Sequence, residues 1–313
     1  MKKIIAMGAN AARQKTLQFE RLLPGEVNRA VKMSEIPSGK GINFCRAARC
    51  WGSACAEVVQ FAGGDNGRFL TDMLDQENLK HHTVCCKAPL RCCLTCIDLT
   101  EHVTTELIEP SGAADEAECA GFVRLVEDNI PDASGVAICG SLPDGTDPGL
   151  YEQVAAAAVR RGLPLLLDLY KNVTPLLDLP QTVLKINREE LGKLTSCGDV
   201  ASGLKKLFST TKLQLAAITD GAGNAFASDG RILVQYTIPA LENVVNPIGC
   251  GDTASAVLFS GLLEGIDFVE AFKLALGAAS ANAETWVPAS FDPARGRELA
   301  GQIETVCYKL NID

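Results

Sequence analysis

The residues best suited to chemistry lie within residues 244–265, VVNPIGCGDTASAVLFSGLLEG. Gly249 and Gly251 flank Cys250, and Asp252 opens a helical pattern with Ala254, Val257, Leu258, Gly261 and Leu262 on one stripe. Val244-Val245 reads as a strand end, Asn246-Pro247 as a turn and Gly265 as the helix stop. Glycines ahead of a helix let the chain turn sharply and leave N–H groups pointing outward. With the helix dipole these form an anion site. A carboxylate beside such a site can take a proton from an alcohol while the amides hold the charge of a group in transfer. Two other readings fit the same residues. Asp252 would also serve as a plain dipole-complementing acid in a first helical turn, and Gly249-x-Gly251-x-x-Ala254 fits the dinucleotide fingerprint G-x-G-x-x-G/A.

Composition narrows the classes. The chain has 313 residues, 47% of them hydrophobic, which suits one large α/β unit with a small appendage, or two domains. No apolar run reaches the length of a membrane span. Met1-Lys2-Lys3 precedes a short apolar run that passes straight into Arg13-Gln14-Lys15, and it reads as a first buried strand rather than a signal peptide. A net charge of −9 disfavours nucleic acid and anionic membranes as partners. It leaves room for a phosphorylated small molecule, because a few local Lys and Arg side chains can hold one phosphate.

Thirteen cysteines, an odd number in a long chain, argue against a secreted disulfide framework. Cys85-Cys86, Cys92-Cys93 and Cys96 have the look of a metal cluster, but residues 91–97 alternate like a strand, which sends adjacent cysteines to opposite faces. With only three histidines in the chain, the reading is small buried thiols in a reducing, cytoplasmic setting.

Further candidates stand where strands end, the usual place for ligands in an α/β sheet. Residues 2–8 form a strand, followed by Asn10-Ala11-Ala12-Arg13-Gln14. Gly39 and Gly41 allow close backbone approach to a ligand, Lys40 could meet an anion and Asn43 could bond hydroxyls. There is no G-x-x-x-x-G-K-[ST], so this is not a P-loop. Asp168 ends a strand, with no role assigned, and Asn187 with Glu190 opens a helix whose acids also suit its dipole.

Taken in order, these segments resemble the PfkB (ribokinase-like) sugar kinases, closest in pattern to 1-phosphofructokinase and tagatose-6-phosphate kinase. Residues 246–253 match N-x-x-G-A-G-D-[ST], with Cys250 in place of Ala. Residues 25–29 match G-E-V-N-R, and Ser38-Gly39-Lys40-Gly41-Ile42-Asn43 matches G-G-K-G-[IL]-N except at Ser38. Residues 63–69 match G-G-D-x-G-x-F, and Glu106 to Pro110 match E-L-x-E-P. Gly140-Ser141-Leu142-Pro143 matches G-S-L-P, residues 185–191 match K-P-N-x-x-E-L with Ile186 for Pro, and Thr219, Gly221 and the following loop resemble V-T-x-G-x-x-G.

The resemblance implies a kinase using ATP and Mg²⁺. Asp252 would be the base, and the amides of Gly249, Cys250 and Gly251 would stabilise the moving phosphoryl group. Gln14, Arg29, Gly39, Lys40, Asn43, Arg91 and Ser141 would bind the sugar, with Arg29, Lys40 and Arg91 on a phosphate it already carries. Lys185, Asn187, Thr219, Gly221, Gly223 and Asn282 would line the nucleotide site, and Asn187 with Glu190 would serve the metal. Gln14 replaces the family's Asp, so the sugar stays open between fructose 1-phosphate and tagatose 6-phosphate types. Kinases for an unphosphorylated sugar or nucleoside, and a non-catalytic sugar-phosphate sensor, are the alternatives.

The strand–helix alternation itself predicts a doubly wound, mostly parallel α/β sheet with helices on both faces. The resemblance adds a small β lid of two hairpins, residues 15–35 and 87–109, over a body of residues 1–14, 36–86 and 110–313, and a homodimer formed through that lid. Residues 292–308 are expected as the last helix.

Overall fold

Lys2–Met7 forms strand β1, and Ile4 to Met7 are all fully buried, as suits a strand covered on both faces. The structure is a computed structural model and describes residues 1–311. After β1 the chain runs through β2 (Ala12–Phe19), β3 (Lys32–Ser38), α1 (Lys40–Trp51), β4 (Ala54–Ala62), α2 (Gly64–Gln76) and β5 (His81–Cys85). Next come β6 (Cys92–Asp98), β7 (Val103–Ile108), α3 (Glu116–Asn129), β8 (Gly135–Cys139), α4 (Gly149–Val159), β9 (Leu165–Asp168), β10 (Thr182–Asn187), α5 (Arg188–Thr195) and α6 (Val200–Thr210). The last part holds β11 (Leu215–Asp220), β12 (Asn224–Ser228), β13 (Ile232–Thr237), α7 (Cys250–Glu264), α8 (Phe268–Ala283), α9 (Pro293–Gly301) and β14 (Glu304–Lys309).

The large sheet has the order β14-β13-β12-β11-β10-β9-β8-β1-β4-β5. It is parallel from β5 to β11, and β12, β13 and β14 are added antiparallel. Alternation in β1 sends Ile4 and Ala6 to a core shared with α1, α7 and α8, and Ile5 and Met7 to a core shared with α3 and α4. This is the three-layer α/β arrangement the alternating pattern predicts.

A separate four-stranded sheet has the order β3-β2-β6-β7. β2 is antiparallel to β3 and parallel to β6, and β6 is antiparallel to β7. The β2–β3 hairpin is rooted where Ala12 pairs with Ser38, and its last rung, Gln18 with Lys32, lies about 20 Å along the strand from that root.

Two expectations are corrected. The last helix stops at Gly301 and does not reach Tyr308. Thr305, Val306 and Tyr308 carry β-favouring side chains, and residues 304–309 pair with β13 as an edge strand. Val244-Val245 is no strand end. The N–H groups of Val245 and Asn246 both donate to the Ala283 carbonyl, at 2.8 and 3.1 Å, and so close the last turn of α8.

Candidate active site

β1 lies between β4 and β8, so the strand order reverses there and a crevice opens beyond the strands' carboxyl ends. Helix α1 starts beside that crevice. Gly39, its N-cap, has φ of 130°, and a Cβ there would stand 3.0 Å from Ala11 Cα. A Cβ on Gly41 would come within 2.5 Å of Gly8 Cα, so only glycine lets α1 pack against the end of β1. Lys40 and Asn43 are carried to the crevice by this contact.

Asp252 is buried, and its Oδ2 accepts from Asn43 Nδ2 at 2.8 Å. It sits in the first turn of α7, behind the N-cap Gly249, whose φ is 81°. The first-turn N–H groups of a helix lack partners within it, so Gly251 and Asp252 present amides beside the carboxylate.

A second buried carboxylate, Asp168 at the end of β9, organises the surroundings. Its Oδ1 pairs with Lys40 Nζ at 2.7 Å, and its Oδ2 accepts from Ser255 Oγ at 2.5 Å and lies 3.8 Å from Lys185 Nζ. Lys185 Nζ donates to the Gly251 carbonyl at 2.9 Å, which ties β10 to the first turn of α7.

Burial shifts these groups in different directions. Asp252 is pushed up to about 6, first by burial and then by the charge of Asp168. Lys40, the Asn43 hydrogen bond and Lys185 oppose the rise. Burial would also raise Asp168, but Lys185 and Lys40, with the hydrogen bonds from Lys40 and Ser255, outweigh it and hold Asp168 below its ordinary value. Burial would lower Lys40, yet Asp168, Asp252 and Glu190 together raise it. Burial and charge thus push the two carboxyls apart, Asp168 below its ordinary value and Asp252 above it. Cys250 is pushed up to about 11 by burial, so the departure from Ala adds a neutral thiol to the anion site.

The other predicted residues divide into those gathered here and those that are not. Lys40 stands with Asp168 and 3.9 Å from Glu190 Oε1, so its partners are carboxylates of the body. Arg91 meets the far end of the crevice. Its Nη2 donates to Asn10 O at 3.0 Å, and its buried Nε has no partner among the described residues. Asn10 in turn donates to Ser141 Oγ at 3.1 Å, so Arg91 and Ser141 share one neighbour. A cavity of about 30 Å³ beside Asn10, Arg91 and Ser111 is far smaller than a sugar pocket. Gln14, on β2 of the smaller sheet, is buried, with its amide nitrogen donating to Thr95 Oγ1 at 2.8 Å. Arg29 is not brought to the site within one chain. It is exposed in the loop beyond the Gln18–Lys32 rung, at the tip of the hairpin.

On the opposite side of the crevice, Asn187 and Thr219 are in register at the ends of β10 and β11. Gly221 and Gly223 lie in the exposed turn that joins β11 to β12. Asn187 Oδ1 accepts from Glu190 N at 2.8 Å and Glu190 Oε2 accepts from Asn187 N at 2.9 Å, a reciprocal capping box for α5. Asn282 is fully buried and braces the loop before α7: it donates to Ile248 O at 2.9 Å and accepts from Ala289 N at 2.5 Å. Its polar atoms are spent on the protein, so its place is behind the pocket wall.

The sequence reading left Asp168 without a role and missed Ser255. The available signal was spacing, since Ser255 follows Asp252 by three residues and so shares its helical face.

The pfkB family carbohydrate kinase profile matches residues 1–289. The chain belongs to this family. It is a carbohydrate kinase, a phosphotransferase that moves a phosphoryl group from ATP to a sugar hydroxyl. Phosphofructokinase-2 from Escherichia coli, solved with fructose-6-phosphate, is similar at 21% identity over 96% of this chain and 99% of that one, with a TM-score of 0.85. The tetrameric inhibited form of that enzyme is similar at 21% identity over 96% of this chain and 99% of that one, with a TM-score of 0.84. A protein from Thermotoga maritima described as a possible 1-phosphofructokinase is similar at 17% identity over 98% of this chain and all of that one, with a TM-score of 0.83. These likenesses establish the ribokinase-like fold of this kinase. No helix among the described residues is long and apolar enough to cross a membrane.

Proposed function

We propose that this kinase phosphorylates a ketohexose phosphate, of the fructose 1-phosphate or tagatose 6-phosphate type, with Asp252 as the general base. The observation that carries the reading is Asp252 itself: buried, oriented by Asn43 and set among first-turn amides at the head of α7. Asp252 takes the proton of the sugar hydroxyl, the oxygen bonds to the γ-phosphorus, and the bond from that phosphorus to the bridging oxygen of ADP breaks. The α7 amides and Lys40 hold the charge on the phosphoryl group in transfer. This is catalysis by positioning and electrostatics.

A phosphate already on the sugar would meet Arg91, whose buried Nε is an unspent donor, with Ser141 nearby. Asn187, Thr219, Gly221 and Gly223 would border the nucleotide. The metal fit is limited but sufficient. Among the described residues no three His, Cys, Asp or Glu side chains converge as a cage. Glu190 Oε2 is used in the capping box, and Oε1 remains, facing Lys40. One carboxylate oxygen suits Mg²⁺ that is carried chiefly by phosphates and waters. Bound there, the ion would neutralise charge on the ATP phosphates.

A second copy of the chain would complete the lid. Val27, Val31, Met33, Val103, Leu107 and Ile108 are exposed apolar side chains of the lid strands and loops, and Arg29 stands among them. In a dimer paired through these faces, Arg29 would serve a site other than its own. The thirteen unpaired thiols suit a reducing, cytoplasmic setting.

The test is a panel of hexose phosphates, free hexoses and nucleosides with Mg·ATP, reading ADP release. Turnover confined to phosphorylated ketohexoses is expected. Turnover of a free sugar or nucleoside alone would replace the phosphorylated-substrate reading, and no turnover with any would favour a sensor.

A further inference from the structure

We infer that Arg46, one helical turn beyond Asn43 on α1, is a positioning residue for phosphoryl transfer: it locks the Asn43 amide so that its NH₂ points at Asp252. The inference rests on Asp252 being the base.

Arg46 is 2% exposed and is the largest fully buried side chain of the protein. A buried guanidinium must have its donors met or it destabilises the fold. Here all five N–H positions have acceptors. Nε and Nη2 grip Glu77 at 2.9 and 3.1 Å, Nη2 also donates to Pro37 O at 3.0 Å, and Nη1 donates to Asn43 Oδ1 at 3.1 Å and Pro288 O at 3.3 Å.

The consequence follows from what each group can do. Guanidinium has donors only, so the Asn43 atom facing it must be the carbonyl oxygen. The other end of the amide is then the NH₂, and it meets Asp252 Oδ2 at 2.8 Å. Without Arg46 the amide could turn over and set its oxygen against the carboxylate, which would repel the base instead of orienting it. Arg46 and Asn43 are three residues apart and share one face of α1, so the relay Glu77–Arg46–Asn43–Asp252 runs along that face from half-buried Glu77 to the crevice.

The Asn43 bond also favours the ionised form of Asp252, alongside Lys40 from α1 and Lys185 from β10. Asp168 from β9 opposes ionisation, and the thiols of Cys139 from β8 and Cys250 from α7 face the same carboxylate. Weakening the relay should therefore move the acid limb of the rate profile upward.

The test uses single-turnover transfer from ATP to the best sugar substrate across pH 5–8. Arg46→Lys keeps a positive charge opposite Glu77 but loses the fork. It is expected to slow transfer about tenfold or more, move the acid limb up by about half a pH unit, and leave KM for ATP within about twofold. In an Asn43→Ala background the same change should cost less than about twofold, because both act on one bond. Losses that multiply, or a folded Arg46→Lys protein with the wild-type rate and limb, would overturn the relay. If Arg46→Lys does not fold, Glu77→Ala, made at the half-exposed end, should move the limb in the same direction, and an unmoved limb rejects the relay. Asp252→Asn separates the two readings: wild-type transfer in that variant removes the base itself, whereas an inactive Asp252→Asn beside normal Arg46 and Glu77 variants removes only the relay.

Discussion

The body centre and the lid are built in opposite ways. Around Asp252 the two buried carboxylates are held by partners from several elements: Asn43 of α1 on Asp252, and Lys40 of α1, Lys185 of β10 and Ser255 of α7 on Asp168. In the lid, the root is buried at Gln14 and Thr95, but the tip is open, with Val27 and Val31 exposed beside Arg29. Such packing suits phosphoryl transfer, which depends on positioning. The lid carries the residues that would choose the sugar on a surface with room to change. If the lid residues choose the sugar as proposed, reaction and selectivity should respond separately to mutation.

Lys40→Met strikes the centre hardest among the changes that spare the base. It leaves Asp168 with Lys185 and Ser255 and removes a cation that would face the phosphoryl group. The expected loss in kcat is about 10²–10³, with KM for the sugar changed far less. A Lys40→Met enzyme whose defect lies in sugar KM alone would move Lys40 to the lid's side of the comparison. Arg91→Ala should instead raise KM for a sugar phosphate, by about 1.5–3 kcal/mol in binding, and leave KM for ATP unchanged. Arg29→Ala is expected to follow it only where a second copy completes the lid. Calorimetry with the sugar phosphate, run beside light scattering across protein concentration, checks both.

Asp252→Asn sharpens the comparison from the side of stability. Asp252 is pushed up to about 6 in the folded chain, above its ordinary value. A group raised in this way contributes stability below the unfolded value, near pH 4, and that contribution is lost as pH rises through 6. The ionised, buried Asp252 is therefore a cost at pH 8. The Asn variant should be more stable than wild type there by roughly 1–3 kcal/mol and no more stable at pH 4. Denaturant unfolding at the two pH values measures this. Gln14→Asp is the smallest change expected, about tenfold in kcat/KM, upward for fructose 1-phosphate or tagatose 6-phosphate if Gln14 has shifted the sugar preference. An unchanged value with an already efficient wild type would mean that Gln14 is a tolerated replacement. Because Gln14 is already engaged with Thr95, Gln14→Asp also tests whether the lid's root is free to serve the substrate.

The parts legible in the sequence are the local ones. Gly249, Gly251 and Asp252 could be read because a sharp turn, outward amides and an acid lie within four residues. The sheet could be read because its central strands are continuous apolar runs. The terminal strand was read as helix, since Glu304–Lys309 is exposed along its length and lacks a buried alternation to give it away. β5 was passed over, since His81, His82 and Thr83 at the sheet edge are only half-buried. Asp168 and Arg46 were illegible for another reason. Asp168 meets Lys40 across 128 residues, and although Arg46 lies three residues from Asn43, its partners also include Glu77 and Pro288, 31 and 242 residues away, and no local pattern reports such pairings. Asn282 differs again: the resemblance set it at the nucleotide site, and the structure spends its amide inside the protein.

The central claim is that Asp252 is the base and that its setting tunes it. Single-turnover transfer from ATP to the best sugar substrate, followed from pH 5 to 8 in wild type and Asp252→Asn, tests it most directly. The account predicts a wild-type rate that falls about tenfold per pH unit below about 6, and an Asn variant that is about a thousandfold slower and has lost that limb. An Asn variant that keeps more than about a tenth of the wild-type rate, or that retains the same acid limb, would contradict it.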